Sequence, residues 1–393
     1  MHRKIITPRS NWKEKVEADG LCFAHCAGGP YWSESMPEPA YYEFNKFEIA
    51  EIQFAAEVIH QHSLEAVDYV ISNNLMSSMD IPLQFHEMIK KSWRERDNHF
   101  YGRFDFSFND DGIHLLEYNA DTPTALLESS VTQWNWLQEL KGIGTFKAYY
   151  DQFNMIEEDI VEHFGFLRKR FGINQMHFSC AEHDFLEDET TTVYIMELAQ
   201  KAGIESIFTY DHQIAAMSFF DDKVFFGDHD LKRISNIFLL KPWEDLFRME
   251  YGKYIEGSDC RFFEPSWKSI LSNKAILPIL HKIAGDCKYI KKSFYDKNYF
   301  VENGINYVEK PFFSREGDNI KMIGSNGTIE ETGGVYANER KIYQEYCGLK
   351  NFDGNYPVLG VWVIGDKVSG MGIREDDSMI TKDTSRFIPH III

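Results

Sequence analysis

Apolar residues recur at helical spacing from Phe44 to about Asn73, at Phe47, Ile52, Ala55, Ala56, Ile59, Ala66, Val67, Val70 and Ile71, and predict a long amphipathic scaffold helix. A second helix is expected from Thr124 to Leu140 on Leu126, Trp134 and Leu137, entered through Thr122-Pro123 as cap and first-turn proline. Between about Gln175 and Lys241 the pattern changes. Met176 to Cys180, Ile207 to Tyr210, Lys223 to Phe226 and Asn236 to Leu240 are strand candidates, and Thr190 to Ala202 is a helix stopped by Gly203. That alternation predicts a small α/β sublobe with parallel pairing. It has no G-x-G-x-x-G after its first strand, so its expected role is structural or substrate-facing. Ala275 to Ile283 then reads as an apolar helix following Ser272-Asn273-Lys274, and the remainder is strand-rich.

The stretch from Tyr101 to Asn119 carries the most chemistry. Phe104, Phe106 and Phe108 alternate with Arg103, Asp105 and Ser107, so the rings share one face of a strand and Arg103 and Asp105 the other. Taking Asp110-Asp111-Gly112 as a three-residue turn with Gly112 left-handed pairs Asn109 with Ile113. Counting outward sets Asp105 opposite Glu117 and Arg103 opposite Asn119, so two carboxylates and an amide oxygen converge beside a guanidinium. Hard oxygen donors such as Asp105, Glu117 and Asn119 suit Mg²⁺, and Arg103 is a forked donor for phosphate or acyl-phosphate. The plainer reading is an exposed hairpin with ordinary surface charges.

Other cations sit where anions could meet them. Lys310 ends the strand Tyr307-Val308-Glu309 and is followed by proline, so it can reach a phosphate as a point charge. The polar loop Ser314-Arg315-Glu316-Gly317 follows, and Gly317 allows close backbone approach. Lys274, read as just inside a helix, is unfavourable for that helix unless it faces an anion. Lys341 to Cys347 reads as an edge strand bending at Gly348. A final hairpin, Val361 to Val368 turned by Gly365-Asp366, leads to Gly370-Met371-Gly372-Ile373-Arg374, whose glycines permit close approach of another group. Each of these has a bland reading as core or surface ion pair.

Composition narrows the partners. The formal net charge is -20, from 61 acidic against 41 basic side chains, which disfavours nucleic acid and anionic membranes and suits a cationic partner such as an amine. A length of 393 residues with 44% hydrophobic content predicts two or three packed lobes. No apolar run reaches membrane-helix length, the N-terminus lacks the apolar core of a secretion signal, and the 6 cysteines have no regular spacing, so a soluble cytoplasmic protein with reduced thiols is expected. Cys22, His25 and Cys26, the pair His60 and His62, His86-Glu87, and His183 near Asp184 lack completing partners in the sequence and are assigned no role.

R-x-D, eleven residues, then E-x-N resembles the metal-binding motif of ATP-grasp ligases, here placed ahead of the nucleotide lysines. That order resembles the permuted arrangement of the glutathionylspermidine synthase family. Asn119-Ala120-Asp121, Glu264-Pro265-Ser266-Trp267-Lys268, Ser272-Asn273-Lys274, Val308-Glu309-Lys310-Pro311 with Ser314-Arg315-Glu316-Gly317, and Gly372-Ile373-Arg374-Glu375-Asp376 with Thr384-Ser385-Arg386-Phe387 extend the likeness along the chain. The length leaves no room for the amidase half of bifunctional members, so the resemblance is to the stand-alone acid-amine ligases. Where glutathione-using members carry small serines, this chain has Thr122-Pro123-Thr124.

The resemblance implies an α/β ATP-grasp fold with permuted motif order and a Rossmann-like sublobe. It divides the chain into a helical scaffold with the metal hairpin (1–145), a pre-ATP-grasp-like sublobe (150–250), a nucleotide lobe and lid (260–350) and strands completing the site (351–393). It also implies an ATP- and Mg²⁺-dependent ligase joining a carboxylate to an amine, in this family peptide-like and polyamine-like, through an acyl-phosphate. ATP would be bound by Arg103, Lys274, Lys310, Arg315, Gly317, Gln344, Glu345 and Arg374, Mg²⁺ by Asp105, Glu117 and Asn119, and catalysis carried by Arg103 and Arg374. Two other readings stay open: a nucleotide-binding regulatory module of the same fold that has lost ligation, and a phosphotransferase.

Overall fold

The computed structural model describes residues 1–26, 29–182, 186–218 and 224–393. His183, Asp184 and Lys223 lie outside the described residues. The long helix runs Lys46–Ser72. Asn45 caps it by accepting from the N–H groups of Phe47 and Glu48, while the Glu48 carboxylate accepts from the N–H of Asn45. Ile52, Ala55, Ile59, Ala66, Val67 and Val70 are buried in the core that this helix shares with helix Ile276–Ala284 and strand Lys367–Asp376. Phe47 leaves the predicted stripe. Five residues before Ile52 it points roughly 140° away from the buried face, at about 100° per residue, and it is exposed.

The second helix starts later than its sequence suggests. Arg103 and Tyr101 draw the carbonyls of Thr124 and Pro123 away as hydrogen-bond acceptors, so those groups cannot open a helical ladder. Ala125 turns the chain with a left-handed φ of 63°. A π-helical turn, Glu128–Thr132, and the helix Gln133–Gly142 follow. Pro123 is therefore outside the helix it was expected to start.

A parallel four-stranded sheet is built from Arg261–Phe263, Asn236–Leu240, Gln175–Cys180 and Glu205–Tyr210 in that spatial order, with helix Glu187–Lys201 connecting two of them. The predicted strand at Val224 to Phe226 does not join it. Val224–Gly227 pairs antiparallel with Ala215–Ser218 and Arg233–Ile234 in a sheet of its own. The sublobe is thus parallel only through its first, second and last predicted strands.

Two antiparallel sheets build the rest. One has the order Ser293–Phe294, Lys341–Glu345, Tyr307–Pro311, Lys321–Gly324, Gly327–Glu331. Lys341–Glu345, expected at an edge, is flanked on both sides because the two-residue strand Ser293–Phe294 covers it. The other, central sheet has the order Arg386–Phe387, Lys367–Asp376, Tyr356–Ile364, Tyr101–Asn109, Gly112–Asn119. It joins the late hairpin to the early one. Gly360 faces Asp105 on one side and Gly372 on the other, and Val358 pairs with Arg374. No helix among the described residues is long and apolar enough to cross a membrane.

Candidate active site

The early hairpin reaches the predicted pairing by a different route. Asn109 pairs with Gly112, so the turn is Asp110-Asp111 alone, one residue shorter than expected. A bulge between the Phe106–Leu115 and Asp105–Glu117 pairs adds the missing residue, Leu116, to the return strand. Asp105 stands opposite Glu117 and Arg103 opposite Asn119. The bulge has a second effect. It frees the carbonyl of Leu116, which accepts from Lys310 Nζ at 2.8 Å.

Arg103, Asp105, Glu117, Asn119, Lys274, Lys310, Arg315, Gly317, Gln344, Glu345 and Arg374 all line one cavity of about 260 Å³. Arg103 lies along its own strand, with Nε 2.7 Å from Asp105 Oδ1, Nη2 3.0 Å from Oδ2 and Nη1 2.7 Å from the Thr124 carbonyl. Asp105 Oδ2 also accepts from Arg374 Nη2 at 3.0 Å and Asn119 Nδ2 at 3.1 Å. Room for this comes from Gly360. A β-carbon there would come within 2.8 Å of Arg103 Cδ.

Glu117 is the other anionic centre. Its Oε2 is 3.0 Å from Lys274 Nζ and its Oε1 3.3 Å from Asn119 Nδ2. Burial opposes its charge, but Lys274, Lys310 and Arg374 outweigh burial and hold its pKa at about 2. Burial lowers Lys310 to about 8 despite Glu117 nearby. Lys274 precedes its helix rather than entering it. The Asn273 side chain accepts from the N–H of Ala275, the helix starts at Ile276, and Lys274 Nζ also donates to the Ser314 carbonyl.

Arg315 meets the cavity rim with its guanidinium engaged by Glu244 Oε1 at 2.6 Å and Thr122 Oγ1 at 3.0 Å. Burial disfavours its charge, and Glu244 and Asp121 more than restore it. Gly317 has a φ of 74° and packs so closely on the loop at Thr381 that a β-carbon would lie 2.4 Å from that carbonyl. Gln344 donates from Nε2 to the Leu115 carbonyl at 3.0 Å, and Glu345 stands 3.8 Å from Lys291. The N–H groups of Glu345 and Tyr346 go to the carbonyls of Lys292 and Asn306. Beside them Val308, Ile320, Met322 and Ile380 form a small apolar cluster of their own, flanked by Tyr346 and Met379. This cluster lines the cavity.

Several residues here have no sequence signal. Asp188 lines the cavity, while Glu187 and Glu128 couple electrically to one another and to Arg374. Glu128 sits in the π-helical turn, accepts from Tyr31 Oη at 2.5 Å, and is raised by burial. Glu187 is raised to about 7, by burial first and then by Glu128, with a hydrogen bond from Thr124 working the other way. As a first-turn acid, Glu187 reads as ordinary complement to a helix dipole. Only the fold shows the company it keeps.

Glu264 and Lys268 explain a motif that had no role. The Glu264 carboxylate accepts from the N–H groups of Phe100 and Tyr101 at 2.8 to 3.1 Å, and Lys268 Nζ donates to the Tyr101 carbonyl at 2.8 Å. The return strand ends at Asn119, opposite Arg103, so this buried ion pair does for Tyr101 what a neighbouring strand would have done. It thereby pins the strand two residues ahead of Arg103.

The family model for the glutathionylspermidine synthase preATP-grasp region matches residues 3–393. A provisionally named acid-amine ligase of Haemophilus influenzae is 33% identical over 93% of this chain and 92% of its own length. Trypanothione synthetase of Crithidia fasciculata is 28% identical over 98% of this chain, and the bifunctional glutathionylspermidine synthetase/amidase of Escherichia coli 25% identical over 90%. The match spans 62% and 59% of those two longer proteins. Among solved structures, a glutathione synthetase-like effector from Globodera pallida superposes with a TM-score of 0.59 over 97% of both chains at 11% identity, a likeness of fold. The fold is of the ATP-grasp type expected from the motif order. With the match running through nearly every residue, the chain belongs to the glutathionylspermidine synthase preATP-grasp family and is an ATP-dependent carbon-nitrogen ligase of that kind.

Proposed function

We propose that the protein joins a peptide-like carboxylate to a polyamine through an acyl-phosphate, with Mg²⁺ as its metal. The observation that carries this reading is the meeting of Asp105, Glu117 and Asn119 with Lys274, Lys310, Arg103 and Arg374 around one cavity. The donor set fits Mg²⁺. Two carboxylates stand directly opposite one another, and a half-turn of the Asn119 carboxamide, whose Nδ2 now faces both, would bring Oδ1 to the same point. Bound there, Mg²⁺ would offset charge on the phosphate oxygens.

The protein's own groups divide the remaining work. The apolar cluster around Val308 and Met322 takes the purine, and Lys310 and Lys274 bind phosphate oxygens as point charges. A carboxylate oxygen of the acid attacks the γ-phosphorus, the bond to the bridging oxygen breaks, and ADP leaves. The amine nitrogen then attacks the acyl carbon, phosphate departs, and the nitrogen loses a proton. Arg103 and Arg374 donate to the transferring group and then to the oxyanion. Asp188, Glu187 and Glu128 give the wall a negative field that draws a cationic amine, and Glu187, near 7, is suited to take the proton. Polyamine and peptide chemistry is supported by the names of the relatives, glutathionylspermidine and trypanothione synthetases.

The test is a screen of carboxylate and amine pools, glutathione and spermidine included, for ATP-dependent condensation products by mass spectrometry. Amide formation that requires ATP, Mg²⁺ and an amine is expected. ATP turnover indifferent to any amine, with no amide product, would replace the ligase with a phosphotransferase or an ATPase.

A further inference from the structure

At the end of the central sheet away from Arg374, three segments far apart in the chain bring together three side chains that the ligase reaction does not use. His60 comes from the buried face of the long helix, His99 from just before strand Tyr101–Asn109, and Asp366 from the turn between the last two long strands. His60 Nε2 and His99 Nε2 each lie 3.0 Å from the same oxygen, Asp366 Oδ1. All three ligand atoms fall within 4.8 Å of one another, and the two rings are nearly parallel at 5.8 Å between centroids.

Exposure divides the trio in a telling way. The imidazole side chains are 8% and 10% exposed, whereas the carboxylate is 76% exposed. The open carboxylate leaves an entry path and a position for water beside the two enclosed rings. A carboxylate oxygen only accepts, so without an ion His60 Nε2 carries the ring proton toward Asp366 Oδ1, and its Nδ1 is buried without a hydrogen-bond partner. We propose that His60, His99 and Asp366 form a site for a zinc-class divalent cation, separate from the Mg²⁺ hairpin, that ties the long helix to two strand ends of the central sheet.

The donor set decides the class of ion. Two imidazole nitrogens and one carboxylate oxygen with an open fourth position suit Zn²⁺, and Mg²⁺ prefers oxygen throughout. With no outer-shell acceptor on His60 Nδ1, the ion is held exchangeably. Its anchorage matters because His99 leads directly into the strand that carries Arg103 and Asp105.

The experiment is calorimetric titration of the full chain with Zn²⁺ in excess Mg²⁺, which occupies the oxygen-only hairpin, alongside Co²⁺ titration followed by visible absorption. A single Zn²⁺ equivalent and the intense visible bands of four-coordinate Co²⁺ are expected. Asp366→Asn changes an exposed side chain and leaves the core intact, and it should weaken Zn²⁺ binding by more than the roughly 10- to 100-fold typical of losing an outer-shell partner. His60→Gln should abolish the Co²⁺ bands. No Zn²⁺ uptake by the wild type, undiminished uptake by Asp366→Asn, or loss of the ion on Asp105→Asn instead would each overturn the site.

Discussion

Arg374 Nη2 lies 3.0 Å from Asp105 Oδ2, so strand Lys367–Asp376 and the strand that opens the early hairpin share one charged contact at the cavity. The contact holds Arg374 at the cavity wall and sets its predicted behaviour. In the proposed reaction it meets charge that grows during phosphoryl transfer. Arg374→Ala should therefore depress turnover by about a hundredfold to a thousandfold, roughly 3 to 4 kcal/mol, while nucleotide affinity changes little. Basal ATP hydrolysis and nucleotide titration on the same folded variant check this, and near-normal turnover would return Arg374 to a structural role.

A second prediction concerns Lys268, whose ion pair with Glu264 is among the most deeply buried in the molecule. Burial lowers Lys268 and raises Glu264 to about 7, so each partner depends on the other for its charge. Lys268→Met leaves a buried carboxylate without its counter-ion and the Tyr101 carbonyl without its donor. The expected cost is about 3 to 5 kcal/mol of stability, read as a lower Tm. Because the pair sets where Arg103 sits, nucleotide affinity in the surviving folded fraction should fall as well. Unchanged affinity would limit the pair to stability.

Much of this site was readable from the chain because the hairpin's alternating phenylalanines decide which residues share a face, whatever the turn does. The cross-strand pairing of Asp105 with Glu117 holds for a different reason: the two-residue turn is one residue shorter than the spacing suggests, and the bulge at Leu116 cancels the slip. Turn length and bulges depend on tertiary partners, here Lys310 on the Leu116 carbonyl, and leave no local pattern. The same holds for Thr122 to Ala125, where carbonyls taken by Tyr101 and Arg103 override a good helix-start signal. The acidic wall was invisible for another reason. Glu128 and Glu187 come from two separate helical turns, and each alone is unremarkable. His60 likewise lacked partners in the sequence, since His99 and Asp366 reach it only through the fold.

Glu187 supplies a pH dependence. With its carboxyl near 7, raised first by burial and then by Glu128, it is protonated below neutrality, so a polyamine should bind less tightly as pH falls through about 7. The sign for stability is the reverse. The folded protein holds this proton more firmly than the unfolded chain, so the contribution of Glu187 is lost as pH rises from 4.5 to about 7, and a bound cation restores it. Glu187→Gln should flatten the pH profile of spermidine binding and weaken it above neutrality. A profile with the same slope in the variant would assign the titration to another group.

Gly360 offers the sharpest steric test, because what it makes room for is a single side chain. Its β-strand position faces Asp105, and an added β-carbon would sit 2.8 Å from Arg103 Cδ and 3.2 Å from Nε. Arg103 cannot swing aside cheaply: Asp105 holds it by two hydrogen bonds, the Thr124 carbonyl by a third, and the Trp362 ring lies 5.7 Å from its guanidinium carbon. Gly360→Ala should thus cost about 1 to 3 kcal/mol of stability through overpacking. It should also lower turnover more than a simple loss of stability would, since the guanidinium is moved from the carboxylate it shares with Arg374. Gly142→Ala is the control, because a β-carbon there meets nothing within 4 Å. Thermal melts and ATP turnover of the two variants, compared at a temperature where both are folded, decide the matter: equal turnover would mean that Arg103 accommodates the methyl group and that Gly360 serves only the packing of the sheet.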